Sequence, residues 1–147
     1  MPRPKRIDVL QRLASHTEAE NARRLGERLR ALDAEERRLQ QIRTYLAEYT
    51  LGTARGNDAM TIGSLKSNRG FLGRLRDAVD QQRGAVESQR HQVEQQTRQW
   101  QAARARTRSL EKLAERQERD ERERQDRREQ VRLDEVATTR AGNPPKV

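Results

Sequence analysis

The chain has 147 residues, of which 31% are hydrophobic, 3% aromatic and 37% charged. So few apolar side chains cannot enclose a thick globular core, although they suffice for the narrow seam between two helices. Cysteine is absent, which excludes disulfides and thiolate metal sites and suits a reducing compartment. No apolar run approaches about 18 residues and no signal peptide is recognisable, so we expect neither a membrane span nor export by a cleaved leader.

The net charge is +9, and arginine supplies all but four of the 32 basic residues. Such a balance could favour nucleic acid, acidic lipid or an acidic protein partner. Both ends of the chain carry mixed signs, however: residues 1–50 hold 11 basic and 8 acidic groups, and residues 115–147 hold 9 of each. Mixed signs are typical of a solvated helix face. The one positive stretch without an acid is 95–110, with Arg98, Arg104, Arg106 and Arg108.

Helix one is predicted from about residue 8 to about residue 50. Pro2 and Pro4 precede it, Asp8 fits its first turn, and Gly52 follows its last residues. Glycines at 52, 56, 63 and 70 then predict a bend over about residues 51–65. The apolar stripe of helix one consists of Ala22, Leu25, Leu29, Leu32, Leu39, Ile42 and Leu46.

Helix two is predicted from about residue 66 to about residue 138, with a loose tail over residues 139–147. Six heptads without proline run through it, and a 3.5-residue repeat keeps one stripe facing a partner helix. This seam consists of Leu72, Leu75, Val79, Gln82, Val86, Gln89, Val93, Gln96, Trp100, Ala103, Thr107, Leu110, Ala114 and Gln117.

The two stripes predict an antiparallel pair. With the bend centred near Met60, facing residues have numbers that add to about 121, so Leu46 faces Leu75 and Trp100 lies opposite Ala22, close to Gly26. Beyond Ala114 helix two has no partner, and residues 115–129 contain no apolar side chain. We therefore predict an all-α fold of one domain, residues 1–147: a long antiparallel two-helix coiled-coil hairpin in which helix two overhangs helix one. Its core is predicted to consist of Leu25, Leu32, Leu39, Leu46, Val79, Val86, Val93, Trp100 and Leu110.

Polar and aromatic residues break the apolar pattern in two places. Gln82, Gln89 and Gln96 occupy three successive heptad positions of the seam; either their methylene stems pack while the amides reach water, or they make a soft seam that bends or rotates. Tyr45 and Tyr49 end helix one and, with Phe71 and Leu72, form an aromatic cluster that either fastens the bend or docks a partner.

Catalysis is not expected from this sequence. His16 and His91 are isolated and are interpreted as surface residues. There is no phosphate-binding loop, nucleophile elbow or carboxylate pair, so no catalytic, cofactor-binding or metal-binding residue is predicted.

Short motifs follow one another along nearly the whole chain. They are Leu10-x-x-Leu13-Ala14, Ala22-Arg23-x-Leu25-Gly26-Glu27, Tyr45-x-x-Glu48-Tyr49, Phe71-x-x-x-Leu75-x-x-Ala78-Val79, Trp100, Leu110, Arg116, and Gln130-x-x-x-Asp134-Glu135-x-Ala137. In their order and spacing these motifs resemble the FliJ family of flagellar export proteins, soluble components of the bacterial flagellar type III export apparatus.

The resemblance implies a non-enzymatic coiled-coil stalk in the cytoplasm, peripherally associated with the inner face of the membrane at the flagellar base. Such a stalk inserts the end bearing both termini into the ring of the export ATPase FliI, promotes ring assembly, links the ring to the gate protein FlhA and escorts export chaperones. The gate-binding stripe maps to Phe71, Leu75, Ala78 and Gln82, which requires helix one to end near Gly52. Charge and resemblance together assign ATPase binding to Arg116, Arg119, Arg127, Arg128, Asp134 and Glu135.

Two other classes of function stay open at this point. A basic coiled coil could bind nucleic acid through the arginines of residues 95–110, with an affinity that falls steeply as salt rises. A structural homodimer of hairpins, or of straight helices, is the second alternative. None of the three functions requires a small-molecule substrate. The export stalk, which the resemblance favours, also requires no nucleic acid.

Overall fold

A computed structural model describes residues 5–55 and 62–142 of the chain. They form two α-helices, α1 (Arg6–Arg55, 50 residues) and α2 (Ile62–Gly142, 81 residues). No strand occurs in the described ranges. The two helices pack against each other in antiparallel directions, and the predicted all-α class, a two-helix hairpin, is confirmed.

The helices extend further than the glycines predicted. Helix α1 continues through Gly52 to Arg55, and Gly70 lies inside α2, which ends at Gly142 rather than near residue 138. A glycine inside a helix costs only about 1 kcal/mol relative to alanine, which packing of neighbouring side chains offsets. The bend residues 56–61 and the prolines at both ends of the chain lie outside the described residues.

The described residues divide into two compact units, each built from part of both helices. The bend unit comprises residues 17–103, and the terminal unit comprises residues 1–16 together with 104–147.

The core of the bend unit is a thin apolar seam. Leu39, Val79 and Val86 are between 4% and 9% exposed, and Leu32, Ile42 and Leu46 pack against them. The predicted core residues Leu25, Val93 and Trp100 are half-buried. No large side chain in the described ranges is completely buried. The burial of α2 residues follows the predicted 3-4 spacing, because one face of α2 contacts α1 at every turn.

The register of the bend unit differs from the predicted one by about one helical turn. Three side-chain hydrogen bonds join residues whose numbers add to 117: Asn21 with Gln96, Glu35 with Gln82, and Tyr49 with Asn68. The reason is that the helices end symmetrically at Arg55 and Ile62, so the midpoint of the bend lies before Met60.

The expected contact between Trp100 and Gly26 is absent. A Cβ atom built on Gly26 would meet only the guanidinium of Arg30, at 3.9 Å, and no indole atom within 4 Å. The observed alignment brings Trp100 to the level of Thr17 instead. The predicted pairing of Trp100 with Gly26 was wrong because it depended on the position assumed for the bend.

Polar residues supply part of the α1 face that packs on α2. Ala22 is exposed and Leu29 is 48% exposed, although both were placed in the apolar stripe. Asn21 and Glu35 take seam positions instead, and both receive hydrogen bonds from glutamines of α2. The pattern of apolar residues does not reveal that Asn21 and Glu35 lie in the seam, because both side chains are polar.

In the terminal unit the two helices bury few side chains. Ile7, Ala14 and Thr107 are 8%, 4% and 8% exposed, and Ile7 and Ala114 line the same groove. The predicted core residue Leu110 is half-buried. Every residue of α2 from Glu115 to Gly142 is exposed. The prediction that α2 has no partner beyond Ala114 was wrong, however, because Lys5 still pairs with Glu121. Neither helix, over its described residues, contains a segment long and apolar enough to cross a membrane.

Candidate partner-binding surfaces

An aromatic cluster of three rings lies where the two helices of the bend unit approach the bend. The ring of Phe71 on α2 contacts Tyr49 edge-on, with centroids 4.7 Å apart and planes at 62°. It also approaches Tyr45, with centroids 6.4 Å apart and planes at 77°. Edge-to-face pairs of this kind are favourable beyond the apolar area that they bury. The bend-end cluster, Tyr45, Tyr49 and Phe71, therefore joins α1 to α2.

A hydrogen bond fixes one side of the bend-end cluster. The Tyr49 hydroxyl donates to Asn68 Oδ1 at 2.6 Å, across the two helices, and both residues are half-buried. Asn68 was not singled out from the sequence, since an asparagine beside glycines is more typical of a turn than of a helix contact. The bend-end cluster therefore has one side, at Tyr49, that is bonded to α2, and another side, at Tyr45, that faces solvent.

The side that faces solvent is formed by Tyr45, whose side chain is 54% exposed. Leu51, one and a half turns further along α1, is 59% exposed. Large exposed side chains on two successive turns give this end of the bend unit apolar area beyond what the helix pair itself uses. Tyr49 and Phe71 thus join the helices, as the structural interpretation of the aromatic cluster expects, while the docking interpretation stays a prediction.

The four residues assigned to gate binding do not share one environment. Phe71, Leu75 and Ala78 are half-buried, whereas Gln82 is 8% exposed. The Gln82 amide donates to the backbone oxygen of Glu35 at 3.0 Å and to its carboxylate. Since α1 continues to Arg55, it covers part of this stripe, and the expectation that helix one ends near Gly52 was wrong.

A second surface lies on the exposed part of α2 in the terminal unit. The six residues assigned there to ATPase binding are all exposed, and none of them forms an ion pair within the part of the chain that the structure describes. They are Arg116, Arg119, Arg127, Arg128, Asp134 and Glu135. Their charges remain available to groups of another molecule.

Three exposed apolar residues near the end of α2 are not among the residues that the sequence predicted for this surface. Val131, Leu133 and Val136 are 57%, 63% and 46% exposed. They follow the stretch 115–129, which has no apolar residue at all. Their reappearance after that stretch is visible in the sequence and distinguishes this part of the helix from the wholly polar segment before it.

One ion pair joins the two helices in the terminal unit. Lys5 Nζ donates to Glu121 Oε2 at 2.8 Å, and both side chains are more than half exposed. This hydrogen bond lowers the pKa of the Glu121 carboxyl below its ordinary 4.5 and raises the pKa of Lys5 above 10.5. Because both groups face water, the pair orients the helices more than it stabilises them.

Metal-binding geometry is not found among the described residues, where no three His, Cys, Asp or Glu side chains come together. His16 and His91 are exposed, as predicted for surface histidines.

Together these features define a coiled-coil protein whose distinctive groups are a partly exposed aromatic cluster and a charged, unpartnered helix segment, which are features of surfaces that bind other proteins. The family model described as "Flagellar FliJ protein" matches residues 4–146, so the chain belongs to the FliJ family. It is accordingly a component of the bacterial flagellar export apparatus. Searches among curated proteins and among solved structures found no match.

Proposed function

We propose that this protein is the non-enzymatic stalk of the flagellar export apparatus, which binds the export ATPase FliI through the exposed part of α2 and the gate protein FlhA through the bend-end cluster. It resides in the cytoplasm, peripherally associated with the membrane at the flagellar base, and escorts export chaperones. The observation that carries the proposal is the pair of surfaces that the helix seam leaves open: Tyr45 at the bend end and residues 115–142 of α2.

The bend-end cluster suits a protein partner because its exposed member is a tyrosine. Tyrosine offers a large apolar ring, a polar hydroxyl and only two side-chain torsions to immobilise, which is why it is enriched at the energetic centres of interfaces. Phe71 lies against the ring of Tyr45, and Tyr49 in turn packs on Phe71. A partner that covers Tyr45 then also reaches the half-buried Phe71, Leu75 and Ala78.

The exposed part of α2 suits an ATPase ring because it is a single slim helix over residues 122–142, where no described residue of α1 contacts it by an ion pair or hydrogen bond. Its arginines and acids would meet complementary groups in the ring, and such pairs set orientation and association rate more than affinity. Val131, Leu133 and Val136 add the apolar area that charged pairs alone do not supply.

Gate binding is tested with Tyr45→Ala and Phe71→Ala. Both are expected to weaken binding of the purified chain to FlhA at least about tenfold, as truncation of a central interface aromatic does. Leu133→Ala is the matched control, since it also removes an exposed apolar side chain but in the terminal unit. Unchanged affinity of Tyr45→Ala, with helix content preserved, would exclude the bend-end cluster as the gate-binding surface.

ATPase binding is tested by reversing charge. We expect Arg127→Glu combined with Arg128→Glu to slow association with FliI and to abolish the dependence of association on salt. The control is Arg38→Glu combined with Arg43→Glu, which changes net charge by the same amount at exposed positions of the bend unit. Equal effects of the two double variants would mean that net charge, and not this segment, governs the interaction.

A further inference from the structure

Polar side chains interrupt the seam of the bend unit at regular intervals on both helices. Gln82, Gln89 and Gln96 lie seven residues apart on α2, and Asn21, Arg28 and Glu35 lie seven apart on α1. In the observed register each glutamine is level with one of the α1 residues. The seam thus alternates between apolar layers and three polar layers: Glu35 with Gln82, Arg28 with Gln89, and Asn21 with Gln96.

In the two outer polar layers the glutamine amide nitrogen forms hydrogen bonds across the seam. Gln82 is 8% exposed, and its amide nitrogen donates to the backbone oxygen of Glu35 at 3.0 Å and to the Glu35 carboxylate. Gln96 is equally buried and repeats the arrangement, donating to the backbone oxygen of Asn21 at 3.2 Å and to its side-chain oxygen at 3.0 Å. The amide nitrogen of each glutamine therefore bonds both the backbone and the side chain of one α1 residue.

The middle layer differs from the outer two. Arg28 donates to Gln92 instead of Gln89, and the side-chain oxygen of Gln89 is buried without a hydrogen-bond partner. A buried acceptor without a donor costs free energy. The middle layer thus destabilises the seam, while the hydrogen bonds of the outer layers favour one alignment of α1 with α2.

The apolar layers do not select that alignment by themselves. Leucines on α1 and valines on α2 both recur every seven residues: Leu32 and Leu39 on one side, Val79 and Val86 on the other. A slip of seven residues would again place leucine opposite valine. The same slip would bring Gln89 to the level of Glu35, but it would move Gln82 to the level of Ile42 and so leave the buried Gln82 amide without an acceptor, which is costly in an apolar setting. Asn21 would lose Gln96 as its partner in that alignment.

We propose that Gln82 with Glu35 and Gln96 with Asn21 form two register locks, which restrict the antiparallel helices to one alignment that the leucine and valine layers leave undetermined. The locks lower the stability of the seam relative to apolar side chains and contribute specificity in exchange, as buried polar residues do in other coiled coils.

Engineered disulfides test the proposal, since the chain has no cysteine of its own. Leu32→Cys with Val86→Cys reports the observed alignment. Leu32→Cys with Val93→Cys reports the alignment slipped by seven residues, because seven residues of helix span about 10 Å and a disulfide requires Cα atoms within about 7 Å. Each cysteine pair is introduced into the wild type and into the double variant Gln82→Leu with Gln96→Leu, and crosslinking under mild oxidation is read on non-reducing gels.

We expect the wild type to form only the crosslink of the observed alignment. In the Gln82→Leu, Gln96→Leu variant the slipped or interchain crosslink should increase about tenfold, which needs the loss of only one or two net hydrogen bonds, and the melting temperature should rise. Gln89→Leu is the matched control: it should raise the melting temperature without any slipped crosslink, because both locks remain.

Crosslinking of the double variant confined to the observed alignment, as in the wild type, would overturn the proposal. Leucine favours helix, so the variants should keep their helix content, which circular dichroism checks. The single variants Gln82→Leu and Gln96→Leu should each give a smaller increase of slipped crosslink than the pair; an increase as large in Gln89→Leu would also contradict the assignment.

Discussion

Two valines of α2 show how far the environment of a residue decides its contribution to stability. Val86 is 4% exposed in the core of the bend unit, whereas Val131 is 57% exposed near the end of the same helix. We expect Val86→Ala to lower the free energy of unfolding by about 2 kcal/mol, from two lost methyl groups and the cavity left behind. Val131→Ala should change it by less than about 0.5 kcal/mol. Denaturant titration measures both, and equal effects would contradict the assigned seam.

The two tyrosines of the bend-end cluster offer a similar comparison. The hydroxyl of Tyr49 donates to Asn68, while Tyr45 is 54% exposed and its hydroxyl forms no hydrogen bond to a described residue. Tyr49→Phe should cost about 1 kcal/mol of unfolding free energy, the typical net value of one hydrogen bond. Tyr45→Phe should cost almost nothing. Thermal melts of the two variants measure the difference, and a Tyr49→Phe variant as stable as wild type would show that the bond contributes nothing.

At the residue scale the sequence predicted the α2 face better than the α1 face. On α2 the seam was visible because valine and glutamine alternate at 3-4 spacing without interruption. On α1 the exposed Ala22 and Leu29 imitated seam positions, while the true seam contains Asn21 and Glu35. Apolar periodicity cannot identify a packed position that is filled by a polar residue whose hydrogen bond crosses to the other helix.

At the scale of the elements, α2 consists of a paired part and an exposed part, and their backbones should differ in protection. Residues 79–96 pack on α1, whereas every residue from Glu115 to Gly142 is exposed. Amide hydrogen exchange should therefore be slow in the first segment and fast in the second, because the exposed segment buries no side chain and its bond to α1 is the surface ion pair of Glu121 with Lys5. Equal protection along α2 would mean that something, such as a second copy of the chain, covers the exposed segment.

The ion pair between Lys5 and Glu121 predicts a small pH dependence. The pKa of Glu121 is lowered in the folded chain, so the contribution of the pair is present above the ordinary value of 4.5 and is lost as pH falls through the folded value. The pKa of Lys5 is raised in the folded chain. The contribution of the pair is therefore present below the ordinary value of 10.5 and is lost as pH rises through the higher folded value. Lys5→Met should melt slightly earlier than wild type at pH 7 and together with it at pH 2. A difference that persists at pH 2 would assign the effect to the lysine stem.

The helix ends were the least predictable feature of the elements. Glycines suggested a bend of about fifteen residues, yet only residues 56–61 separate α1 from α2. Packing of Tyr49 on Phe71, and the Tyr49 bond to Asn68, hold both helices together across positions where glycine alone favours a turn. This shorter separation also explains the difference in register, which sequence patterns could place only to within a turn.

At the scale of the whole molecule, the fold alone excludes few functions, and the family indicates the cellular machinery to which the chain belongs. Two-helix coiled coils serve many functions, so membership of the FliJ family is what makes this chain a flagellar export component. The nucleic-acid alternative depended on Arg98, Arg104, Arg106 and Arg108, which are all exposed. Such binding would weaken steeply as salt rises, whatever the sequence of the nucleic acid.

The proposed stalk function is tested most directly by the rate of ATP hydrolysis of the export ATPase FliI, measured with increasing amounts of this protein. The proposal predicts that the rate rises and then saturates at a fixed ratio of one chain per ring, and that Arg127→Glu with Arg128→Glu abolishes the rise while Arg38→Glu with Arg43→Glu preserves it. A hydrolysis rate that stays unchanged in the presence of the folded wild-type chain would contradict the account.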